Sequence, residues 1–387
     1  MTQTIAVYTD CTESVEAGEH LGRQVREGLG DPADAVILFA SSRFDYEALL
    51  SSLHAACQPD LLVGASSAGE FTSTRRGEGT ACALAFRSSE IKVAAGLGRG
   101  VTSDRSKAVQ DVVAAFRGRE AQGFPYRSAL VMTDALAGHA DDLVDQLTVK
   151  TAGQYQFAGG GAGDDAQFSR THVFFGTKAY TDAVVALEVL STKPTGIGVG
   201  HGWSPASEAF RVTAVEGTRL ISLNGRPAIE AFEAHARSLR QDLRRDEPLP
   251  FFLHNILGID TGNGYRLRVP LAVAGDGAVT CAAEIPLGAR VHIMKTTSES
   301  AVDAAKRATE AAIQRLHGHK PGAALLFDCV ATRLRMGDQF GFEVDSVAAM
   351  LDGATFVGCN TYGQIARAEG QFGGFHNCTA VVMLLPA

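Results

Sequence analysis

The chain has 387 residues, a formal net charge of −8 at pH 7, 45% hydrophobic residues and 20% charged residues. This length predicts two domains, and this composition excludes long disordered stretches. The acidic balance argues against a nucleic-acid partner. The N-terminus lacks the basic and apolar regions of a signal peptide, and no apolar run reaches the ~20 residues of a membrane helix. Seven scattered cysteines without a C-x-x-C pair indicate reduced core thiols in a cytoplasmic protein.

One pattern occurs three times along the chain. An apolar strand is followed by a helix and by a second strand that runs into a glycine-containing turn. Each turn ends in glycine followed by a carboxylate or carboxamide residue: Gly69-Glu70, Gly163-Asp164 and Gly363-Gln364. Short apolar runs around a helix predict parallel strands joined by a crossover. Alternating stretches after each turn predict hairpins that complete the sheets, so the fold class is α/β with mixed sheets in two lobes.

A domain boundary is predicted at the turn Asn224-Gly225-Arg226-Pro227. A strand pattern precedes this turn and a helical pattern over residues 228–240 follows it. The predicted domains are therefore residues 1–225 and 226–387.

The three turns are candidate ligand-binding segments. None carries the lysine of a phosphate-binding Walker loop. They can serve as tight turns alone, or they can face a ligand, since ligands bind at the carboxyl ends of strands in α/β sheets. On the second interpretation, polar side chains and backbone N–H groups of the turns line a polar cleft. The candidate residues are Gly64, Ser66, Ser67, Gly69, Glu70, Asp164 and Gln364.

Single histidines in apolar surroundings are a second group of candidates. His201 lies beside the only tryptophan, Trp203, while His292 lies in a strand and His376 follows a glycine pair. Each can be a structural histidine, and one imidazole in an apolar cleft can also hold a haem iron. A catalytic alternative pairs Cys359 or Ser67 with a base such as His376. It lacks a third orienting residue, so we predict no catalytic residues and no enzyme.

Several separate motifs, in order along nearly the whole chain, resemble the FIST sensory proteins. The N-terminal FIST region extends to about residue 225, and the C-terminal region follows it. Gln364 departs from the glutamate that is frequent in the family at this turn. The motifs are Val63-Gly64-Ala65-Ser66-Ser67-Ala68-Gly69-Glu70-Phe71, His201-Gly202-Trp203-Ser204-Pro205, Gly358-Cys359-Asn360-Thr361-Tyr362-Gly363-Gln364 and His376-Asn377-Cys378-Thr379.

This resemblance implies a bacterial ligand sensor that regulates a separate partner, either a histidine kinase or a cyclic-di-GMP enzyme, with a homodimer as one possible state. In length, the chain resembles the haem-containing nitric oxide sensors of the family. This resemblance implies haem b as cofactor. The expected axial ligand is His201, with Trp203 beside it, and His292 and His376 are the alternatives. Arg290 and Lys295 are candidates to pair with the propionates. The other interpretation is a haem-free sensor of a polar small molecule such as an amino acid.

Overall fold

The structure is a computed structural model that describes residues 2–118, 120–368 and 374–387. Among these residues, no helix is both long and apolar enough to cross a membrane. The chain folds into three units of the same design, and a large insertion interrupts the third. The prediction of an α/β fold with mixed sheets in two lobes is confirmed: one lobe is the ring of three units and the other is the insertion.

The first unit contains two strand–helix pairs followed by further strands. Its elements are β1 (Thr2–Thr9), α1 (Ser14–Leu29), β2 (Ala35–Ser41), α2 (Tyr46–Cys57), β3 (Leu61–Ser67), β4 (Glu70–Thr72), β5 (Arg76–Gly77) and β6 (Ala81–Ser88). The second unit repeats this order. Its elements are β7 (Ile91–Arg99), α3 (Arg105–Ala114), β8 (Tyr126–Thr133), α4 (Ala140–Lys150), β9 (Gln156–Gly161), β10 (Val173–Phe175), β11 (Lys178–Tyr180) and β12 (Ala183–Ser191).

The third unit begins with β13 (Gly196–Gly200) and then leaves the ring to form the insertion. The insertion contains β14 (Ser204–Pro205), β15 (Phe210–Glu216), β16 (Arg219–Leu223), β17 (Arg226–Pro227), α5 (Ala228–Leu239), α6 (Leu249–Phe252), β18 (Ile256–Asp260), β19 (Tyr265–Arg268), β20 (Pro270–Val273), β21 (Val279–Cys281) and β22 (Arg290–Lys295). The unit resumes with α7 (Ser298–Gln314), β23 (Pro321–Cys329), α8 (Val330–Met336), α9 (Phe340–Met350), β24 (Thr355–Thr361), β25 (Gln364–Arg367), β26 (Gly374–His376) and β27 (Ala380–Pro386).

Each sheet of the ring combines four strands of one unit with two strands donated by another unit. The sheet orders are β1-β6-β2-β3-β10-β11, β26-β25-β9-β8-β12-β7 and β13-β27-β23-β24-β4-β5. The predicted parallel pairs are present as β2–β3, β8–β9 and β23–β24. The strands directly after the glycine turns do not stay in their own sheet, as the sequence pattern suggested, but cross to a neighbouring unit. This exchange closes the three units into a ring.

The core of the ring has two layers. The inner faces of all three sheets share one apolar cluster, which includes Phe39, Leu130 and Phe327. Phe39 of the first unit and Phe327 of the third meet edge to face, with ring centroids 5.7 Å apart. Helices cover the outer faces and form a separate apolar cluster for each unit. Removal of this apolar surface from water is the main force that holds the units together.

The insertion forms a nine-stranded sheet that packs against one side of the ring. It takes strands from both sides of the turn at residues 224–227, where the domain boundary is predicted. A small apolar cluster joins it to the ring, in which Trp203 and Met294 contact the region of Cys329 and Cys378.

Candidate functional site

The three glycine turns meet at the centre of the ring and hydrogen-bond to one another. Between the first and third units, Ala68 N donates to Asn360 O at 2.9 Å and Asn360 N donates to Gly69 O at 2.8 Å. Gly163 N donates to Ser66 O at 2.8 Å, which joins the second unit to the first. Tyr362 N donates to Gly161 O at 2.9 Å and joins the third unit to the second. The turns are therefore structural connections between units as well as strand ends.

One glycine in each unit allows the two parallel strands of that unit to approach closely. Gly64, Gly159 and Gly358 occupy equivalent places opposite Leu38, Val131 and Leu326 in the parallel strand pairs. A Cβ atom on Gly64 would lie 1.8 Å from Leu38 O, and one on Gly159 would lie 1.9 Å from Val131 O. No side chain fits at these distances, so the role of Gly64 is to bring strands together.

The junction between the first and third units contains a polar pocket of about 380 Å³, which we call the polar seam. It lies where β3 and β24 end and where α8 begins to cover them. A volume in this range is typical of small-molecule sites. The residues that define the polar seam are Gly69, Glu70, Arg76, Glu78, Arg333 and Asn360.

Asn360 is the most unusual residue of the polar seam. It is fully buried, yet neither its side-chain Oδ1 nor its Nδ2 has a hydrogen-bond partner among the described residues. An unpaired buried polar atom costs about 1–3 kcal/mol. An amide that lines a pocket with both atoms unpaired is suited to a ligand that supplies a donor and an acceptor.

Arg333 lies beside Asn360 and carries the positive charge of the seam. Its guanidinium pairs with Glu78, while its Nε is buried without a partner among the described residues. Burial lowers the pKa of Arg333 below its ordinary value, but an arginine remains charged in proteins. The Nε–H is therefore available to a carboxylate.

Glu70 forms the inner wall of the polar seam. Its carboxyl group accepts hydrogen bonds from Ser67 Oγ and Thr80 Oγ1, both at 2.6 Å. Burial raises the pKa of Glu70 to about 7, although these hydrogen bonds oppose the rise. The group can therefore gain or lose a proton near neutral pH.

The junction between the second and third units is apolar, and we call it the apolar seam. It contains a cavity of about 80 Å³ that the insertion covers with α6 and β20. Leu136, Phe168 and Leu334 at its edge are more than a third exposed. The residues that define the apolar seam are Leu136, Phe168, Leu253, Val269, Cys329, Leu334 and Tyr362.

The other two predicted turn residues do not line the polar seam. Asp164 accepts hydrogen bonds from the N–H groups of Phe168, Ser169 and Arg170 and from Tyr362 Oη. Burial raises the pKa of Asp164, but these donors outweigh it and hold the pKa below its ordinary value. Gln364 is buried; its Nε2 donates to Thr361 Oγ1 at 2.9 Å.

Of the predicted ligand-binding residues, Gly69 and Glu70 therefore line the pocket. Ser67 acts through its hydrogen bond to Glu70, and Gly64 serves the strand contact. Ser66 Oγ accepts from His172 N at 2.9 Å, at the junction of the first and second units. Two of the backbone N–H groups predicted to line a polar cleft are not available to a ligand, because Ser66 N and Ala68 N donate to carbonyl groups of other units.

The three candidate haem ligands lie near the contact between the ring and the insertion. His201 Nε2 is 3.1 Å from Tyr265 O, and burial lowers the pKa of His201. His292 Nδ1 is 2.9 Å from Ser207 O, and its ring meets Tyr265 edge to face. His376 Nε2 is buried without a hydrogen-bond partner among the described residues. Burial, with Arg266 and Arg268 nearby, lowers the pKa of His376 to about 4.

The prediction of bound haem requires an apolar pocket beside one of these histidines. An axial ligand needs a ring nitrogen that faces an apolar space large enough for a porphyrin. His201 Nε2 faces a carbonyl, and none of the cavities described above is lined by His201, His292 or His376. Trp203 is 7% exposed and its ring contacts the Arg335 guanidinium. Arg290 is exposed, with its Nε 4.0 Å from Asp260.

The structure does not bring Cys359 and His376 together as a catalytic pair. Cys359 is fully buried in the shared core, and burial, Cys82 and Glu70 raise the pKa of its thiol. His376 has Arg266, Arg268, Asp141 and His201 as its charged or titratable neighbours. Within the described ranges, no three His, Cys, Asp or Glu side chains are grouped to hold a metal ion.

Sequence reasoning missed Asn360 and Arg333 as site residues. Asn360 stands two residues after Gly358, as Ser66 stands two residues after Gly64. An alignment of the three units on these glycines would have identified it. Arg333 lies on α8, a seven-residue helix directly after β23. The equivalent place after β8 holds only a short 3-10 turn, Ala135–Ala137, so the repeat pattern carried no signal for Arg333.

Comparisons with known proteins agree with the sequence motifs. The model of the FIST N domain matches residues 34–226, and the model of the FIST C domain matches residues 231–367. Uncharacterized proteins from two Mycobacterium tuberculosis strains, CDC 1551 / Oshkosh and ATCC 25618 / H37Rv, are each 23% identical over 395 residues, covering 96% of this chain and 95% of the relative. Among solved structures, cyanuric acid hydrolase from A. caulinodans is similar at a TM-score of 0.34 and 8% identity, covering 100% of this chain and 99% of that one.

The last similarity is too low to support any conclusion about this chain. The two family models together match most of its length and meet between residues 226 and 231. The chain belongs to the FIST family, whose domains act as sensors in signalling.

Proposed function

We propose that this FIST protein senses a small polar molecule with a carboxylate and an ammonium group, such as an amino acid, and binds it in the polar seam. The observation that carries the proposal is Asn360, a buried amide in a pocket of about 380 Å³ whose two polar atoms have no partner in the described part of the chain. Such an amide is stabilised when a ligand supplies the missing partners.

The charges in the seam match a molecule with both signs. The buried Nε–H of Arg333 can donate to a carboxylate, and a hydrogen bond between two charged groups is about twice as strong as a neutral one. Glu78, Asp338 and ionised Glu70 supply negative charge for an ammonium group. Since the pKa of Glu70 is about 7, we expect a cationic ligand group to bind more tightly above neutral pH.

The position of the seam gives a route to a signal. Arg333 and Leu334 lie on α8, which covers the polar seam on one side, while Leu334 also borders the apolar seam. Two residues along the helix, Arg335 contacts Trp203 at the base of the insertion. A ligand that binds more tightly to one position of α8 than to another shifts the helix toward the first position. This shift changes the contact between the ring and the insertion. We propose that a histidine kinase or a cyclic-di-GMP enzyme recognises this change.

Thermal unfolding with a panel of amino acids and small carboxylic acids tests this proposal. A ligand at 100 times its Kd stabilises the folded state by about 2.7 kcal/mol. For a chain of this size the midpoint rises by about 3 °C. We expect the rise in the wild type and its loss in Arg333→Met and Asn360→Leu.

The matched control is Arg335→Met, on the same helix but in contact with Trp203 rather than the pocket. It should keep the ligand-induced rise even where its own midpoint is lower. A wild type that responds to no member of the panel, or an equal response in all three variants, would contradict the polar-ligand proposal.

Haem-based nitric oxide sensing, as in the family member NosP, is the second candidate. The observation that favours it is the buried Nε2 of His376, which has no hydrogen-bond partner within the described ranges. Haem b would supply the iron that binds nitric oxide, and the candidate axial ligands remain His201, His292 and His376. An absorption spectrum after addition of haemin, reduction and exposure to nitric oxide tests this prediction. A sharp Soret band at one haem per chain that shifts with nitric oxide supports it, and a broad band without a shift contradicts it.

A further inference from the structure

Cys329 and Cys378 form a pair at the wall of the apolar seam, apart from the polar pocket. Cys329 is the last residue of β23, and Cys378 lies in the turn before β27. These strands pair antiparallel, with Phe327 opposite Val381. Cys329 and Cys378 lie just beyond this pair, where the end of β23 is adjacent to the start of β27. The fold of the ring therefore brings the two thiols together.

The two side chains interact directly. They lie in one apolar cluster and are 3% and 5% exposed. The Cys378 thiol donates a hydrogen bond to the Cys329 sulfur, which also accepts from the backbone N–H groups of Cys378 and Ala331. The hydrogen bond from Cys378 is the largest cause that lowers the pKa of Cys329 to about 7, while the same contact raises the pKa of Cys378.

We propose that Cys329 and Cys378 form a disulfide when the protein meets a small hydroperoxide. The cavity of about 80 Å³ that Cys329 lines has room for a molecule of the size of hydrogen peroxide, since a water molecule occupies about 30 Å³ in the liquid. The thiolate is the nucleophile in such reactions.

The chemistry takes two steps. The Cys329 thiolate attacks one oxygen of the hydroperoxide, the O–O bond breaks, and the leaving oxygen takes a proton to give an alcohol, or water from hydrogen peroxide. The Cys378 sulfur then attacks the sulfenic acid on Cys329, the S–OH bond breaks, and water leaves with the thiol proton of Cys378. Two thiols and one hydroperoxide give one disulfide, one alcohol and one water. The peroxide gains the two electrons that the two sulfur atoms lose.

Three buried thiols among the other five, Cys281, Cys82 and Cys359, provide matched comparisons. Cys281 is equally buried but has no thiol among the groups that act on it, and burial raises its pKa to about 12. Cys82 acts on Cys359 across the core, but burial is the largest cause that raises the pKa of both thiols well above the ordinary value. Peroxide should therefore react with Cys329 before these three buried thiols.

The test treats the full chain with one to five equivalents of hydrogen peroxide and maps its peptides without reduction. We expect a loss of 2 Da per chain and one cross-linked peptide that joins Cys329 to Cys378. Cys329→Ser and Cys378→Ser should abolish it, and Cys281→Ser should not.

A cross-link between other cysteines would overturn the proposal, as would a sulfenic acid on Cys329 that persists while Cys378 stays reduced. Because the wild-type map alone decides between these outcomes, the test stands even where a serine variant does not fold. Neither result depends on the ligand of the polar seam.

Discussion

The polar seam and the apolar seam occupy equivalent positions in a ring of three repeated units, yet their chemistry differs. Both are formed where the strand after a glycine turn crosses to the next unit. In the polar seam this place holds Glu70 and Asn360, and the pocket is open on one side. In the apolar seam it holds Tyr362 and Phe168, whose rings stack with centroids 4.5 Å apart.

The difference shows that the backbone of the units is repeated while the contacts around it are not. The insertion reaches only one seam, where Leu253 and Val269 cover it. Among the described residues, an α-helix stands directly after the equivalent strand only in the third unit, as α8, and it lies between the two seams. One ring thus carries a site for a polar ligand beside an apolar contact that can respond to it.

The strand glycines provide the most severe test of this equivalence. A Cβ atom would lie 1.8 Å from a backbone oxygen at Gly64 and 1.9 Å at Gly159. We expect Gly64→Ala and Gly159→Ala each to lower the free energy of unfolding by more than about 4 kcal/mol, since backbone atoms must move. Denaturant unfolding measures the loss.

The control is Gly275→Ala, because a Cβ atom there has no neighbour within 4 Å. It should change stability by less than about 0.5 kcal/mol. Clearly unequal costs at Gly64 and Gly159 would show that the two units are not equivalent at this contact.

The sequence predicted the repeat well because it depends on local patterns. The apolar runs and the glycine turns lie within each unit, and β2–β3, β8–β9 and β23–β24 follow directly from them. The exchange of strands between units could not be predicted in this way. The alternation of apolar and polar residues around Phe71 or Ile365 indicates a strand, but it does not indicate which sheet receives the strand.

The candidate site was predicted only in part for a related reason. Gly69 and Glu70 belong to a turn, and a turn can be recognised from its residues. Arg333 comes from a helix more than 250 residues away, and its approach to Glu70 depends on the closed ring. The contacts of His201 with Tyr265 and of Asp164 with Tyr362 likewise join segments that are distant in the sequence, so the pattern around each residue does not reveal them.

Glu70 should give the polar seam a distinct pH dependence. Because the pKa rises from 4.5 to about 7 on folding, the folded state binds more protons in this range and stability falls as pH rises through it. At about 1.4 kcal/mol for each pH unit, the loss is about 3 kcal/mol. The glutamine in Glu70→Gln cannot ionise. Unfolding curves at pH 5 and pH 8 should therefore show that the free energy of unfolding declines less in the variant than in the wild type, with a difference of about 3 kcal/mol. Parallel declines for both proteins would contradict it.

His376, beside the contact with the insertion, should act in the opposite direction. Its pKa falls from 6.5 to about 4 on folding, so the folded state binds fewer protons and stability is lost as pH falls from 6.5 to 4. The loss is again about 3 kcal/mol. His376→Asn should lose correspondingly less stability than the wild type between pH 7 and pH 4. An equal loss would mean that the imidazole is protonated in the folded protein.

The hydrogen bond between Tyr362 and Asp164 tests a polar contact at the border of the apolar seam. Tyr362→Phe removes the hydroxyl donor, while three backbone N–H groups continue to hold the carboxylate. We expect a loss of about 1–2 kcal/mol, because a hydrogen bond to a charged group is removed without leaving the charge unpaired. Since the hydroxyl also lowers the pKa of Asp164, that pKa should rise in the variant, and titration by NMR can follow it.

Leu136 should have the smallest effect, and it separates the rim of the apolar seam from its interior. It is 44% exposed, and Leu136→Ser should change the free energy of unfolding by no more than about 0.5 kcal/mol. Val269, at the same seam, is 4% exposed, so Val269→Ala should cost clearly more because it leaves a cavity. A large cost at Leu136 would mean that the rim packs more tightly than its exposure indicates. Equal small costs at both positions would mean that the insertion contributes little to the stability of the ring, and that the two lobes are held together elsewhere.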